Sequence, residues 1–275
     1  MPLVIVPTPV GNLEDMTLRG LRELREADLI ACEDTRHTLK LLNHFEIKKP
    51  LLSCHEHNEA ERVQQLMSRL EAGEKVALVS DAGTPGLSDP GSVIIRAAIE
   101  RGLPYDVLPG ANALLPALLL SGLEMDSFLF VGFLKGQQGE KKKRLQELAS
   151  SRETLVFYMS PHRLLRELAL MGSVLGDRKA VLVREISKIH QETIKGTLLT
   201  FCDTMPEDKI RGEFVCVVEG AGECPVEESG WQEEAMTLAA RGDSIKDISA
   251  LLAPKYAVQK NKIKKFILEN FNREA

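Results

Sequence analysis

The chain has 275 residues, 44% of them hydrophobic and 27% charged, enough for two domains with their own cores and ordinary for a globular protein. Its formal net charge of −5 excludes a uniformly basic nucleic-acid binder but leaves room for a local basic face. The five cysteines are scattered, with no Cys-x-x-Cys, so a disulfide framework is excluded and reduced core thiols of a cytoplasmic protein are expected.

The start, Met1 to Pro7, carries no basic segment and too short an apolar run for a signal peptide. The longest apolar stretch, Ala113 to Leu120, is interrupted by Pro116 and is too short to span a membrane, so no membrane is expected as a partner. Short apolar runs then recur as strand candidates: Leu3–Val6, Asp28–Cys32, Pro50–Cys54, Lys75–Val79 and Tyr105–Leu108. Between the third and fourth, Val63, Leu66, Met67 and Leu70 repeat with the stripe of an amphipathic helix. Strand–helix alternation predicts a mainly parallel sheet covered on both faces.

A polar or Gly/Pro cluster follows each run: Pro7–Asn12, Glu33–Arg36, His55–Glu59, Ser80–Gly91 and Pro109–Asn112. In a parallel sheet these clusters share one rim, where open α/β sheets bind ligands. The fourth, Ser80-Asp81-Ala82-Gly83-Thr84-Pro85-Gly86-Leu87-Ser88-Asp89-Pro90-Gly91, is stiff and carbonyl-rich. It is neither a phosphate loop nor Gly-x-Gly-x-x-Gly. Asp89 is placed to cap the helix from Ser92, with Pro90 in its first turn.

A second α/β unit begins near Asp126, with strand candidates Phe128–Phe133, Thr154–Tyr158, Ala180–Arg184, Glu192–Lys195 and Phe214–Val218. A basic stretch runs from Lys135 through Lys141, Lys142 and Lys143 to Arg144, and Gly220–Gly230 reads as a linker. The tail reads as three helices, with Trp231, Ala235, Leu238 and Ala239, then Ile245, Ile248, Leu251 and Leu252, then Val258, Ile263, Phe266 and Ile267 as their apolar positions. Lys260, Lys262, Lys264 and Lys265 lie on the last one, as in a helix-turn-helix unit that holds nucleic acid; a solvated lysine face is the plainer alternative. The expected domains are 1–122, 123–222 and 231–275.

His55-Glu56-His57 has no third soft ligand in sequence and lacks the His-Glu-x-x-His spacing, so no metal is expected. No Gly-x-Ser-x-Gly nucleophile elbow is present. Glu33-Asp34-Thr35-Arg36 is either a local ion pair with a helix cap or a device to orient a hydroxyl substrate, and spacing does not separate the two. In Ser160-Pro161-His162-Arg163 two basic side chains sit in a first helical turn, where the helix dipole does not favour them, which hints at an anionic partner.

Five pieces in register resemble the motifs of the ribosomal RNA small subunit methyltransferase I family: Ile5–Leu13, Glu33–Arg36, His55–Glu59, Val79–Pro85 with Ser88–Gly91, and Ser160–Arg163. That family belongs to the tetrapyrrole-methylase-like enzymes that use S-adenosylmethionine. The resemblance implies an α/β fold of two αβα domains of the tetrapyrrole-methylase type plus a small C-terminal helical domain, a cofactor cleft between the two, and a homodimer. It implies methyl transfer to the ribose 2′-oxygen of a cytidine in 16S rRNA, within the small ribosomal subunit. Carried over, Pro9, Gly11, Asp81, Gly83, Thr84, Pro85, Ser88, Pro109, Gly110, Asn112, Ala113, Tyr158, Met159, Val218, Glu219 and Gly220 are expected around the cofactor. Arg36, Glu56, His57 and Asn58 are expected to hold or deprotonate the hydroxyl, and Lys135, Lys141–Arg144, His162, Arg163 and the tail lysines to hold phosphates. The rival readings are a precorrin-type tetrapyrrole C-methyltransferase and a helix-turn-helix regulator. Gly83-Thr84-Pro85 in place of the broader class's Gly-Asp-Pro, and the basic tail, favour RNA.

Overall fold

The computed structural model describes residues 2–55, 58–222, 230–256 and 258–271. It forms two compact units, Met1–Gly220 and Ala221–Ala275. The first unit opens with β1 (Leu3–Ile5), α1 (Leu18–Glu26), β2 (Leu29–Cys32), α2 (Thr35–His44), β3 (Leu51–Ser53), α3 (Glu59–Glu71), β4 (Val76–Val79), α4 (Ser92–Glu100), β5 (Tyr105–Val107) and α5 (Leu114–Ser121). The five strands pair in the order β3-β2-β4-β1-β5, every neighbour parallel.

Because successive side chains point to opposite faces, each strand serves two cores. Leu3, Ile5, Leu29, Ala31, Val76 and Leu78 pack with Leu66, Met67 and Leu70 of α3 and Ile94 and Ala98 of α4. Val4, Val6, Ile30, Cys32, Ala77 and Val79 pack with Leu24 of α1 and Leu42 of α2. Fully burying each of the Val, Leu, Ile and Met side chains among them is worth about 1.5–3 kcal/mol. The expected cap of α4 is not made by Asp89: the N-cap is Gly91, at φ 123°, a backbone position that favours glycine. Asp89 instead faces the site described below.

The unit continues with β6 (Phe128–Phe133), α6 (Gln138–Leu148), β7 (Thr154–Met159), α7 (Leu164–Leu175), β8 (Lys179–Arg184), β9 (Glu192–Thr197), α8 (Thr200–Thr204) and β10 (Phe214–Val218). This sheet has the order β6-β7-β10-β8-β9 and is mixed: β6 runs parallel to β7, but β10 is antiparallel to both β7 and β8, and β9 to β8. The physical reason lies in the connections. Helix crossovers carry β7 to β8 in the same direction, whereas the short loop from Arg184 to Glu192 makes a reversing connection. Ala117 and Leu118 of α5 pack under this second sheet, on Val156, Val181, Val183, Val215 and Val217.

The second unit holds α9 (Trp231–Ala240), α10 (Ile245–Lys255) and α11 (Lys260–Phe271). Ser244 caps α10 by accepting from the Asp247 N–H. Trp231, Ala235, Ala239, Ile248, Leu252, Val258, Ile263 and Ile267 form its core. Leu251, expected inward, is 56% exposed. Most of the expected linker lies outside the described residues. Among the described residues no helix is long and apolar enough to cross a membrane.

Candidate functional site

The carboxyl ends of β1, β2, β4 and β5 face those of β6 and β7 across a cavity of about 410 Å³. The first half contributes Val10, Glu33, Asp81 to Thr84, Leu87, Asp89 and Asn112 to Leu114; the second contributes Phe130, Phe133, Tyr158 to Pro161 and Glu213 to Val215. Its size lies within the roughly 300–1,000 Å³ of small-molecule sites. One wall is polar and backbone-rich, the other apolar and aromatic, with the Phe130 and Phe133 rings edge-on to Tyr158.

Local bonds stiffen the polar wall. Thr8 and Gly83 exchange backbone hydrogen bonds of 2.9 and 2.8 Å, and the Thr8 hydroxyl donates to the Ser80 carbonyl. The Thr84 hydroxyl donates to the Ala111 carbonyl at 3.2 Å, tying the fourth cluster to the fifth. Asn112 accepts from the Leu115 N–H at 2.9 Å, so its side chain already fills part of the amino end of α5. The Asp34 N–H donates to Asp81 at 3.1 Å, linking the second cluster to the fourth. Ser88, at φ 67°, presses its hydroxyl toward Gly132, where β6 shifts register against β7.

The electrostatics are dominated by carboxylates. Burial, then the charges of Glu33, Asp81 and Glu213, pushes the Asp89 carboxyl up to about 7. Burial, then Asp81 and Asp34, also raises Glu33. Tyr158 is pushed up to about 12 by burial and then by Asp89. Asp34, in contrast, is held well below the carboxylate range by the Arg36 guanidinium.

Of the residues expected around the cofactor, the structure gathers Asp81, Gly83, Thr84, Asn112, Ala113, Tyr158 and Met159 on this cavity. Pro9 lines a smaller neighbouring cavity of about 140 Å³ that shares Asp81. Gly11 abuts Ile186 and Lys188, and Gly110 abuts Pro7, each too closely for a Cβ. Pro85 is buried beside Gly91; Ser88 and Pro109 are exposed off the cavity wall.

Val218, Glu219 and Gly220 are corrected. Because β10 runs antiparallel to β7, Phe214 pairs with Met159 at the cavity, and Val218 pairs with Leu155 at the far edge. The five residue-to-residue steps from Val215 to Gly220 correspond to about 17 Å of extended chain. Gly220 is there for packing: a Cβ on it would lie 1.9 Å from the Arg152 carbonyl oxygen. Glu213, Phe214 and Val215 take the place expected of them. The sequence signal that was available is the short loop before β9, which implies a reversed strand.

Arg36 is exposed and gripped by Asp34, 2.7 Å from Nη2 to Oδ2. Asn58 accepts from the His55 N–H at 2.8 Å and donates to the Ser53 carbonyl, which shapes its loop. Glu56 and His57 lie outside the described residues. Lys135, Lys142, Lys143, Arg144, His162 and Arg163 are exposed. Lys141 is corrected as a phosphate contact: it is 8% exposed, and its ammonium pairs with buried Glu167 between α6 and α7. On α11, Lys260, Lys262 and Lys265 are exposed and Lys264 is half-buried.

Comparison with known proteins fits this architecture. The profile of the Tetrapyrrole (Corrin/Porphyrin) Methylases matches residues 2–201. A uroporphyrin-III C-methyltransferase structure from Thermus thermophilus, complexed with S-adenyl homocysteine, shares the fold with a TM-score of 0.56 at 20% identity, over 80% of this chain and 97% of that one. Ribosomal RNA small subunit methyltransferase I of Bacillus subtilis is 45% identical over 94% of this chain and 88% of its own. The Synechocystis protein of the same name is 41% identical over 97% of both. The chain belongs to the ribosomal RNA small subunit methyltransferase I family, within the tetrapyrrole-methylase fold. It is an S-adenosylmethionine-dependent methyltransferase.

Proposed function

We propose that this enzyme methylates the ribose 2′-oxygen of a cytidine in 16S rRNA, acting in the cytoplasm as a homodimer on the small ribosomal subunit. The observation that carries the reading is the two-walled cavity, in a chain 45% identical to a small-subunit rRNA methyltransferase over 94% of its length. When bound, S-adenosylmethionine supplies a methyl group on a positively charged sulfur. Phe130, Phe133, Tyr158 and Val215 offer the apolar surface that an adenine ring needs, and Glu33, Asp81 and Asp89 offer negative charge for the sulfonium.

Transfer is an in-line displacement, so the chain's main task is to hold both partners still. The tied loops of the first half do that on the donor side. Arg36, at the rim and steadied by Asp34, is suited to a phosphate or hydroxyl beside the acceptor. Glu56 and His57 are the candidate bases, and Asn58 binds the backbone of Ser53 and His55 beside them in sequence. Exposed Lys135, Lys142, Lys143, Arg144, His162 and Arg163 extend the basic surface from the end of β7, and the α11 lysines add a second one. A tetrapyrrole acceptor needs neither. For the homodimer, β5 is an unpaired edge with Tyr105 and Val107 exposed, and α5 exposes Leu115 and Leu119, an apolar surface suited to a second copy.

The test is incubation of the purified protein with radiolabelled S-adenosylmethionine and small ribosomal subunits lacking the modification, followed by mapping of the label. Label on a cytidine 2′-oxygen is expected. Label absent from RNA, with the cofactor bound, would overturn the acceptor assignment. Light scattering on the wild type and Leu119→Glu checks the dimer.

A further inference from the structure

We propose that the carboxylates of this cavity make it a reader of cofactor charge: Asp89, together with Glu33 and Asp81, holds the cationic methyl donor in preference to the uncharged thioether left after transfer, and Asp89 gives up a proton when the donor enters. This rests on the cofactor reading of the cavity.

The charges come from separate parts of the chain. Glu33 follows β2, Asp81 and Asp89 follow β4, and Glu213 precedes β10, yet all four line one cavity. Glu213 is paired, 3.0 Å from the Lys188 ammonium. Among the described residues, Glu33, Asp81 and Asp89 have no Lys, Arg or His within ion-pair distance. The Arg36 guanidinium feels the charge of Asp81 but is occupied by Asp34. From β7 the neutral phenol of Tyr158 faces Asp89, and the Ser80 side chain hydrogen-bonds to it. Nor are these acids gathered as a metal-binding group among the described residues.

Negative charge crowded into a half-apolar cavity is costly, and protonation of Asp89 relieves it. The carboxyl at about 7 is that relief in the free protein. A sulfonium relieves it better, because its positive charge stabilises the ionised form that burial and the neighbouring carboxylates disfavour. The amino-acid end of the ligand is the same before and after transfer, so the sulfur isolates the effect. The site would therefore loosen its grip as the reaction removes the charge, which favours release of the spent cofactor near and above neutral pH.

The experiment is calorimetric titration of the intact protein with S-adenosylmethionine and, separately, S-adenosylhomocysteine. Each titration is run at pH 6, 7 and 8 in two buffers of different ionisation heat. The expected result is release of about half a proton on donor binding at pH 7 and none on product binding. The ratio of the two affinities should rise about tenfold from pH 6 to pH 8. Asp89→Asn should abolish the release and flatten the ratio, and Glu33→Gln should weaken both. A constant ratio without proton release in the wild type overturns the inference while leaving the cofactor assignment intact. Failure of both ligands to bind would remove the cofactor assignment itself. Should Asp89→Asn not fold, the wild-type proton count and pH dependence still decide.

Discussion

The two sheets of the first unit do different work because their strands run differently. In the parallel sheet every strand end points to the same rim, so the loops after β1, β2, β4 and β5, scattered through the sequence, converge on one cavity. These loops supply carboxylates and fixed backbone groups. In the mixed sheet only β6 and β7 send their carboxyl ends there, and β10 enters by its amino end. That half supplies apolar surface and, apart from Glu213, which is paired with Lys188, uses its charges elsewhere, internally as in Lys141–Glu167 or on the exposed basic face. Proximity in sequence to a strand's end therefore means something different in each half.

The largest expected effect probes where the second half keeps its charge. Lys141→Ala leaves the buried Glu167 carboxylate with only the more distant, half-exposed Arg163, 3.7 Å away, as a cationic partner among the described residues, and should destabilise the unit by about 3 kcal/mol. That corresponds to a fall in melting temperature of roughly 10 °C. Lys142→Ala with Lys143→Ala should leave the melting temperature within a degree or two while lowering RNA affinity and its salt dependence. If both variants behaved alike, the distinction between inner and outer lysines would be lost. Next comes Gly220→Val, which drives a side chain into the Arg152 backbone and should cost about 2–3 kcal/mol, with cofactor affinity of the folded protein unchanged. A specific loss of affinity would return Gly220 to the site.

Asp89 sharpens the other side of the comparison. Its folded-state value of about 7 lies above the ordinary 3.8, so the native state holds this proton more tightly than the unfolded chain does. The group therefore costs nothing below about pH 4, and stability falls as pH rises from there through about 7. Asp89→Asn should raise stability by about 1–2 kcal/mol at pH 8 and by little at pH 4, read from thermal melts at the two values. The smallest effect contrasts the two ends of β10. Val215→Ala should weaken cofactor binding about fivefold, or ~1 kcal/mol, whereas Glu219→Ala should leave it unchanged. The reverse result would contradict the antiparallel placement of this strand.

Legibility from sequence followed the same division. The strands of the parallel sheet, the α3 stripe of Leu66, Met67 and Leu70, and the gathering of Asp81, Gly83, Thr84 and Asn112 on one cavity follow from periodicity and from strand-end position. Asp89 did not, because Asp before Pro reads as a helix cap and the cap passed instead to Gly91, two residues on. Glu213 and Val215 did not, because strand direction is set by pairing partners distant in sequence, and an apolar run looks the same read from either end. Lys141 was hidden among three exposed basic neighbours, since burial depends on which side of α6 meets α7.

The packing of α5 bears on how the molecule can be divided. The helix leaves β5 of the parallel sheet, yet Ala117 and Leu118 sit beneath the mixed one. A cut after residue 122 would take from the second half a piece of its own floor and leave the first half trailing an oily helix with nothing to cover it. Separately expressed halves should aggregate, and residues 1–220 should melt in one cooperative step. A break placed at Pro109–Ala111, ahead of the helix, should let the two fragments reassemble when mixed.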